Sequence, residues 1–288
     1  TGIAVIHASE KDFDFNKIKP LINSCEAEVI GGFYPGLILS DGLTYEGFIL
    51  QHYTGEYQKF LCDTNTENAH LSTDTVKKGT CLIITDSLTS GNQKFLDSLY
   101  YKFGTDFKFI GTGAGSLELI QKPCVFDKSG IYQDKAIVVS LTKSVALGIK
   151  HGFERIAGPL VVTKSDGCII QELNWENPYL IYSKTIEDAD NTVISKENFF
   201  DFAKGYPLGI SRKGNEDIVR DPISTDEEGN LICVDEIPEN ASLYLLKGDR
   251  NKLIKAAKQS CEEALSRTNG TANSCLLIDC VSRVLYLE

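Results

Sequence analysis

Positive charge is scarce in this chain. Twenty-nine Lys and Arg stand against 40 Asp and Glu, a net charge of -11, with a pI near 5.0. A nucleic-acid groove or an anionic membrane surface needs clustered cations, so neither is expected as a partner. Long apolar runs are also missing. The best is Lys135–Leu141 (KAIVVSL), far short of the ~20 residues a membrane span requires. No Cys-x-x-Cys, His-x-x-x-His, Gly-x-Ser-x-Gly or Walker loop occurs, so no metal, no cofactor and no classical hydrolase are expected. Methionine is absent where average usage gives roughly half a dozen. The reading adopted is that methionine positions are missing from the written sequence, so a spacing can be short by one.

What is present describes an ordinary globular chain. It has 288 residues, 42% hydrophobic and 24% charged, enough for about two domains. Nine cysteines, at 25, 62, 81, 124, 168, 233, 261, 275 and 280, form no even framework and several lie inside apolar runs. They read as reduced, core-filling thiols of a cytoplasmic protein. Two glycosylation sequons, at Asn240 and Asn269, read as chance matches.

Short β-type runs at Ile3–Ala8, Glu28–Phe33 and Gly47–Tyr53 open the chain, with a helix expected over Asp14–Cys25 that Asp14 caps and Pro20 bends. Cys81–Asp86 reads as a buried strand. Ser90–Phe103 reads as a helix capped by Ser90, with Phe95, Leu96, Leu99, Tyr100 and Phe103 as its apolar stripe. Phe107–Ile110, Lys135–Leu141 and Val145–Phe153 follow as strands. Leu160–Asn174 is a hairpin turned at Ser165-Asp-Gly167. Helices are expected at Asn177–Ile186, Ser195–Tyr206 and Asn251–Arg267, the last started by Asp249. Strands are expected at Pro207–Ser211, Asp217–Ile223, Leu231–Val234, Ser242–Leu246 and Ser274–Leu287. The acidic stretch Glu187–Asn191 is the expected linker, giving domains 1–190 and 191–288. Strands outnumber helices and several are hairpin-connected. The expected fold class is therefore α+β, two domains built on mixed or antiparallel sheets flanked by helices.

Several residue groups could carry chemistry. Gly111-Thr-Gly113-Ala-Gly115-Ser116 follows a strand, where bare backbone can approach a ligand, or simply let strands cross closely. Ser116 stands where a dinucleotide fingerprint needs glycine, so a nucleotide is not expected. Gly31-Gly32-Phe33-Tyr34 has the same form, with Tyr34 lining a pocket or covering the core. His151 ends an apolar run as a structural, pocket-lining or catalytic imidazole, the other histidines (7, 52, 70) being scattered. Arg220 and Arg283 sit in apolar strands, suited to fork-type capture of a carboxylate or to ion pairs with Asp221, Asp235 or Asp279. Cys280, three residues before Arg283, is either an inert thiol or one made reactive by that charge.

In series, these segments resemble the FIST sensory domain family (F-box and intracellular signal transduction proteins). The resemblance rests on IGGFYPGLI (Ile30–Ile38), IGTGAGS (Ile110–Ser116), HGF (His151–Phe153), VTKSDGCIIQELN (Val162–Asn174), PLGI (Pro207–Ile210), VRDP (Val219–Pro222) and CVSR (Cys280–Arg283). It covers the chain from about Ile30 onward and implies a FIST N-type domain followed by a C-type domain that ends early. Tyr206 stands where the family commonly has His. The resemblance implies a bacterial sensory input protein, not an enzyme, whose ligand is an amino acid or small carboxylate. It would sit between the two halves on Gly31, Gly32, Tyr34, Gly111, Gly113, Gly115, Ser116, His151, Arg220, Cys280 and Arg283. The signalling output partner is unknown. The alternative from another class is a thiol-dependent enzyme using Cys280 with His151.

Overall fold

The computed structural model describes residues 2–11, 14–66, 71–72, 74–268, 272 and 274–287. His70 and the sequon beginning at Asn269 lie outside the described residues. The chain divides into two compact units, 1–145 and 146–288. The fold is α+β, with mixed sheets in the first unit and an antiparallel sheet in the second.

The first unit contains β1 (Gly2–Ser9), α1 (Phe15–Ser24), β2 (Glu28–Tyr34), β3 (Leu37–Leu39), β4 (Gly42–Thr44), β5 (Phe48–Thr54), β6 (Tyr57–Asp63) and β7 (Gly79–Asp86). They are followed by α2 (Asn92–Phe103), β8 (Phe107–Ala114), β9 (Val125–Asp127), β10 (Ile131–Tyr132) and β11 (Lys135–Leu141). Two sheets form, ordered β10-β9-β2-β1-β5 and β6-β11-β7-β8, beside the small β3-β4 hairpin. Two βαβ crossovers give the parallel pairs β1–β2 and β7–β8; the other pairings are antiparallel. One core lies between the sheets, where Val5 and Ile30 meet Leu82, Ile84 and Val139. A second lies on the far face of β7–β11, where Cys81, Ile83 and Val138 meet Phe95, Leu99 and Phe103 of α2. Strand β7 is buried along its whole length because both faces are covered.

The second unit contains β12 (Glu154–Asp166), β13 (Ile169–Leu173), α3 (Pro178–Asp190), α4 (Phe199–Ala203), β14 (Leu208–Ile210), β15 (Ile218–Arg220), β16 (Pro222–Thr225), β17 (Leu231–Cys233), β18 (Ser242–Lys247), α5 (Arg250–Ser266) and α6 (Val281–Leu287). Its seven strands run in the order β15-β14-β18-β12-β13-β17-β16. Leu243 and Leu245 on one face of β18 join the core under α3 and α4. Leu246 joins Phe153, Leu253 of α5 and Tyr286 of α6 on the other.

The expected hairpin is β12–β13, and Gly167 turns it at a φ of +56°. Asp14 caps α1 through the Asn16 N–H, and Pro20 lies within that helix. Asp249 caps α5 through the Lys252 N–H at 2.9 Å. Five expectations need correction. Gly91, not Ser90, is the N-cap of α2. The helix expected at Ser195–Tyr206 shrinks to α4, and the acidic stretch at Glu187–Asn191 is the last turn of α3 and its left-handed cap. Val145–Phe153 is not a strand: Gly152 takes a φ of +80°, and at Gly148 a Cβ would lie 1.8 Å from the Ser260 carbonyl oxygen. Ser274–Leu287 is a loop followed by α6 rather than a strand. Its apolar run is too continuous for period to separate helix from strand. Four cysteines (62, 81, 124, 233) fill cores, whereas Cys25, Cys275 and Cys280 are exposed; all nine are free thiols. Burial pushes the thiols of Cys62, Cys81 and Cys124 up to about 12, as core fillers require.

Asp249→Ala removes the cap of the longest helix in the second unit. Its denaturation midpoint in urea should fall by the equivalent of about 1 kcal/mol, and an unchanged midpoint would show that the cap is redundant.

Candidate functional site

Strands β7 and β8 run parallel with Ile83 opposite Gly111 and Thr85 opposite Gly113. Paired residues share a face, so the side toward α2 presents Ile83, Thr85 and Phe109, then bare backbone at 111 and 113. Leu96 and Tyr100 of α2 stand over that bare stretch. The result is a cleft of about 270 Å³, lined chiefly by Ile83, Thr85, Leu96, Tyr100, Phe109, Gly111 and Gly113. The Tyr100 ring centroid lies 4.2 Å from that of Phe109, and Tyr100 remains 56% exposed. No charged side chain lines the cleft among the described residues. The Thr85 hydroxyl donates to Asn92 Oδ1 at 2.7 Å, tying the strand end to the start of α2. Polar contacts for a ligand are then left to the Tyr100 hydroxyl and the main chain.

The glycines also serve packing. A Cβ at Gly113 would lie 2.8 Å from Ser87 Cβ, and one at Gly115 would lie 2.6 Å from Ser87 Oγ. Both positions let the turn after β7 settle on β8. Gly31 is wedged between the Phe126 ring (2.3 Å) and the Ile6 carbonyl oxygen (2.4 Å), and Gly32 lies against Ala114 and Ile84. Both are buried, Gly31 against the neighbouring strands of its own sheet and Gly32 against the facing sheet. The Tyr34 hydroxyl pairs with Thr112 Oγ1 across the same core, and burial raises its pKa. Ser116 accepts the Glu118 N–H at 3.2 Å within its own turn. Of the expected residues in this unit, only Gly111 and Gly113 line the cleft. Leu96, Tyr100 and Phe109 were not among the expected site residues, since the sequence assigns the two helix residues to a core stripe. Only the register, which sets glycines beneath the stripe, shows that its Tyr100 end is uncovered.

The remaining expected residues belong to the second unit, and there the structure turns them inward. Arg283 lies in α6, with its side chain only 7% exposed. It donates from Nε to Asp279 Oδ1 at 2.6 Å, from Nη1 to the His151 carbonyl and from Nη2 to the Leu253 carbonyl at 2.9 Å. It thereby joins α6, α5 and the segment before β12. Arg220 ends β15, donates from Nε to the Glu236 carbonyl at 3.0 Å, and lies 3.7 Å from Asp235. His151 Nδ1 accepts the Phe153 N–H at 3.0 Å, which leaves the proton on Nε2, 3.1 Å from Glu216. Burial holds this imidazole below its ordinary pKa, with Glu216 pulling the other way. Cys280 is exposed, and its sulfur lies 3.3 Å from Ser282 Oγ. Ser282 in turn donates to Asp221 Oδ2 at 2.7 Å, a carboxyl whose pKa burial raises. Both ring nitrogens of His151 are thus engaged, and neither contact is to Cys280.

The FIST N domain model matches residues 3–176 and the FIST C domain model residues 179–288. The chain belongs to the FIST family. FIST domains are sensory signal-transduction domains that bind small ligands. No curated protein and no solved structure matches the chain. No described helix of this FIST chain is long and apolar enough to cross a membrane, and no group of three or more metal-ligating side chains occurs among the described residues.

Two measurements test the inward reading of the second unit. Arg283→Ala removes the partner of the half-buried Asp279 carboxylate and a donor from two carbonyls, so stability should fall by about 2 kcal/mol, read from urea unfolding. Stability should also fall as pH drops below about 6.5, where the unfolded chain takes up a proton that the folded His151 refuses. His151→Gln should reduce that fall, and an identical pH profile would refute the assignment.

Proposed function

We propose that this FIST chain is a small-ligand sensory input module whose ligand seats in the cleft between α2 and β8. The observation that carries the reading is the cleft itself, with an apolar body, an aromatic wall at Tyr100 and Phe109, and glycine main chain as its polar side. Such a site suits a ligand with an apolar group at one end and a carboxylate or amide at the other. Amino acids and small apolar carboxylates are the leading class. Main-chain N–H groups would receive the polar end, since Arg220 and Arg283 are committed to their own unit. Nine free thiols support a reducing, cytoplasmic setting, and a bacterial signalling protein is the context proposed.

A sensor of this kind signals by differential binding. The ligand stabilises the state that holds it and shifts the population toward that state, by about 2.7 kcal/mol at a concentration 100 times its Kd. Thermal-shift measurements against the amino acids and small carboxylates should find compounds that raise the midpoint. Tyr100→Ala, at a half-exposed position, should keep the fold and abolish that rise. If the rise survives in Tyr100→Ala, the ligand binds elsewhere.

A further inference from the structure

The main chain of β8 has two edges, and the register tells which residues use which. In a parallel pair, alternate residues direct both N–H and C=O to one neighbour, and the residues between them direct both to the other side. Ser87 donates its N–H to the Ala114 carbonyl at 2.8 Å, and Ala114 is paired with Asp86. The even-numbered residues of β8 therefore bond to β7. Phe109, Gly111 and Gly113 point their N–H and C=O groups outward, where β8 is the last strand of its sheet. Gly115, next in the odd set, donates outward to the Phe33 carbonyl at 2.8 Å. No backbone hydrogen bond from another described residue reaches the outward groups of Phe109, Gly111 or Gly113, and both glycines are exposed.

Exposed strand edges are normally guarded by proline, bulges, charge or short length. Strand β8 runs eight residues without proline and without a register shift. Its one charged residue, Lys108, extends its Nζ to the Val145 carbonyl at 2.7 Å. An unguarded edge repeating at roughly 6.8 Å per two residues, with a side-chain cleft beside it, is the geometry of strand addition.

The geometry points to an extended, uncharged peptide segment as the ligand class of this cleft, added as a strand along β8 with an apolar side chain under Tyr100. This rests on the cleft reading above and narrows it. A free amino acid can satisfy only one outward residue, whereas a peptide satisfies the outward groups of Phe109, Gly111 and Gly113 in step. A second copy of the chain is the poorer occupant. Two molecules of charge -11 repel, and where glycine of one β8 meets glycine of the other no side chain fills the cleft.

The probe is the capped pentapeptide acetyl-Ser-Leu-Ser-Phe-Ser-amide, with two further versions, one N-methylated at its leucine and one at its central serine. Amide hydrogen exchange by NMR is read on the full chain. The amides of Phe109, Gly111 and Gly113 should exchange fast in the free protein and at least tenfold slower with the peptide. Those of Ile110, Thr112 and Ala114 should be slow throughout. Successive peptide N–H groups face opposite edges, so one N-methylated version should lose binding and the other keep it. Equal binding by both versions overturns the strand-addition model. If free leucine raises the midpoint in a Tyr100-dependent way but the peptide leaves the three amides unprotected, the cleft reading stands and this inference falls. If the peptide protects the amides with undiminished affinity in Tyr100→Ala, strand addition stands and the cleft reading falls. Protection that appears without peptide and tracks dimer formation in sedimentation identifies a second copy as the occupant and overturns the proposal.

Discussion

The parallel register of β8 on β7 governs the first unit more than any other single constraint. It places Gly111 opposite Ile83 and Gly113 opposite Thr85, so two positions without side chains fall beneath the apolar stripe of α2. The same register assigns the even residues to β7 and leaves the odd ones facing out. Slipping it by one residue would put Ile110 and Thr112 under the helix, fill the cleft and reverse the direction of every main-chain group. One pairing choice therefore sets the apolar face, the polar edge and the depth between them. The polar end is braced independently: the buried Asp86 accepts the N–H groups of Leu88 and Asp134 and the Gln121 amide.

The second unit solves a different problem, that of anchoring a short terminal helix. With seven residues, α6 is too short to be stable by propensity. It is held by Arg283, which reaches two separate carbonyl groups and a carboxylate, and by the Tyr286 hydroxyl donating to the Gly248 carbonyl at 2.8 Å. An arginine inside an acidic chain looks from sequence like an anion receptor. Here the anion it receives is its own Asp279, four residues earlier in the loop that leads into α6. Asp221 shows the opposite situation. One of its oxygens accepts from Ser282, while the other is buried without a hydrogen-bond partner among the described residues. Burial then raises its pKa by penalising the charged form.

Much of the fold was legible because local chemistry and tertiary context agreed. Asp14 and Asp249 are side-chain caps where caps were expected, and Asp166-Gly167 turns the hairpin with a glycine at positive φ. Legibility failed where a continuous apolar run hid its period, as in α6, or where glycine served close packing rather than a turn, as at Gly148. It failed again at the turn after β13. There Asn174 and Trp175 both take positive φ between Leu173 and Glu176, a role for which a Trp gives no warning. The turn is held by Asn174 Oδ1 accepting the Val161 N–H and by Thr163 Oγ1 accepting the Trp175 N–H. At the candidate site the glycines were readable and their companions were not. Tyr100 and Phe109 belong to the cleft only through a register that sequence does not state.

Packing alone does not account for the glycine segment. Close approach explains the missing side chains at 113 and 115, where Ser87 occupies the space, and at 31, where Phe126 does. Such glycines are normally buried, since their purpose is to admit a neighbour. Gly31 and Gly32 fit that description. Gly111 and Gly113 do not, because they are crowded on the side of β7 and its following turn and exposed on the other. A glycine inside a strand sacrifices roughly 0.5–1 kcal/mol relative to alanine. Two of them on an edge also discard the side chains that would shield its hydrogen-bonding groups from other chains. The crowding justifies the first loss. The second leaves an exposed, unshielded edge, and this separates the two glycine segments that look alike in sequence.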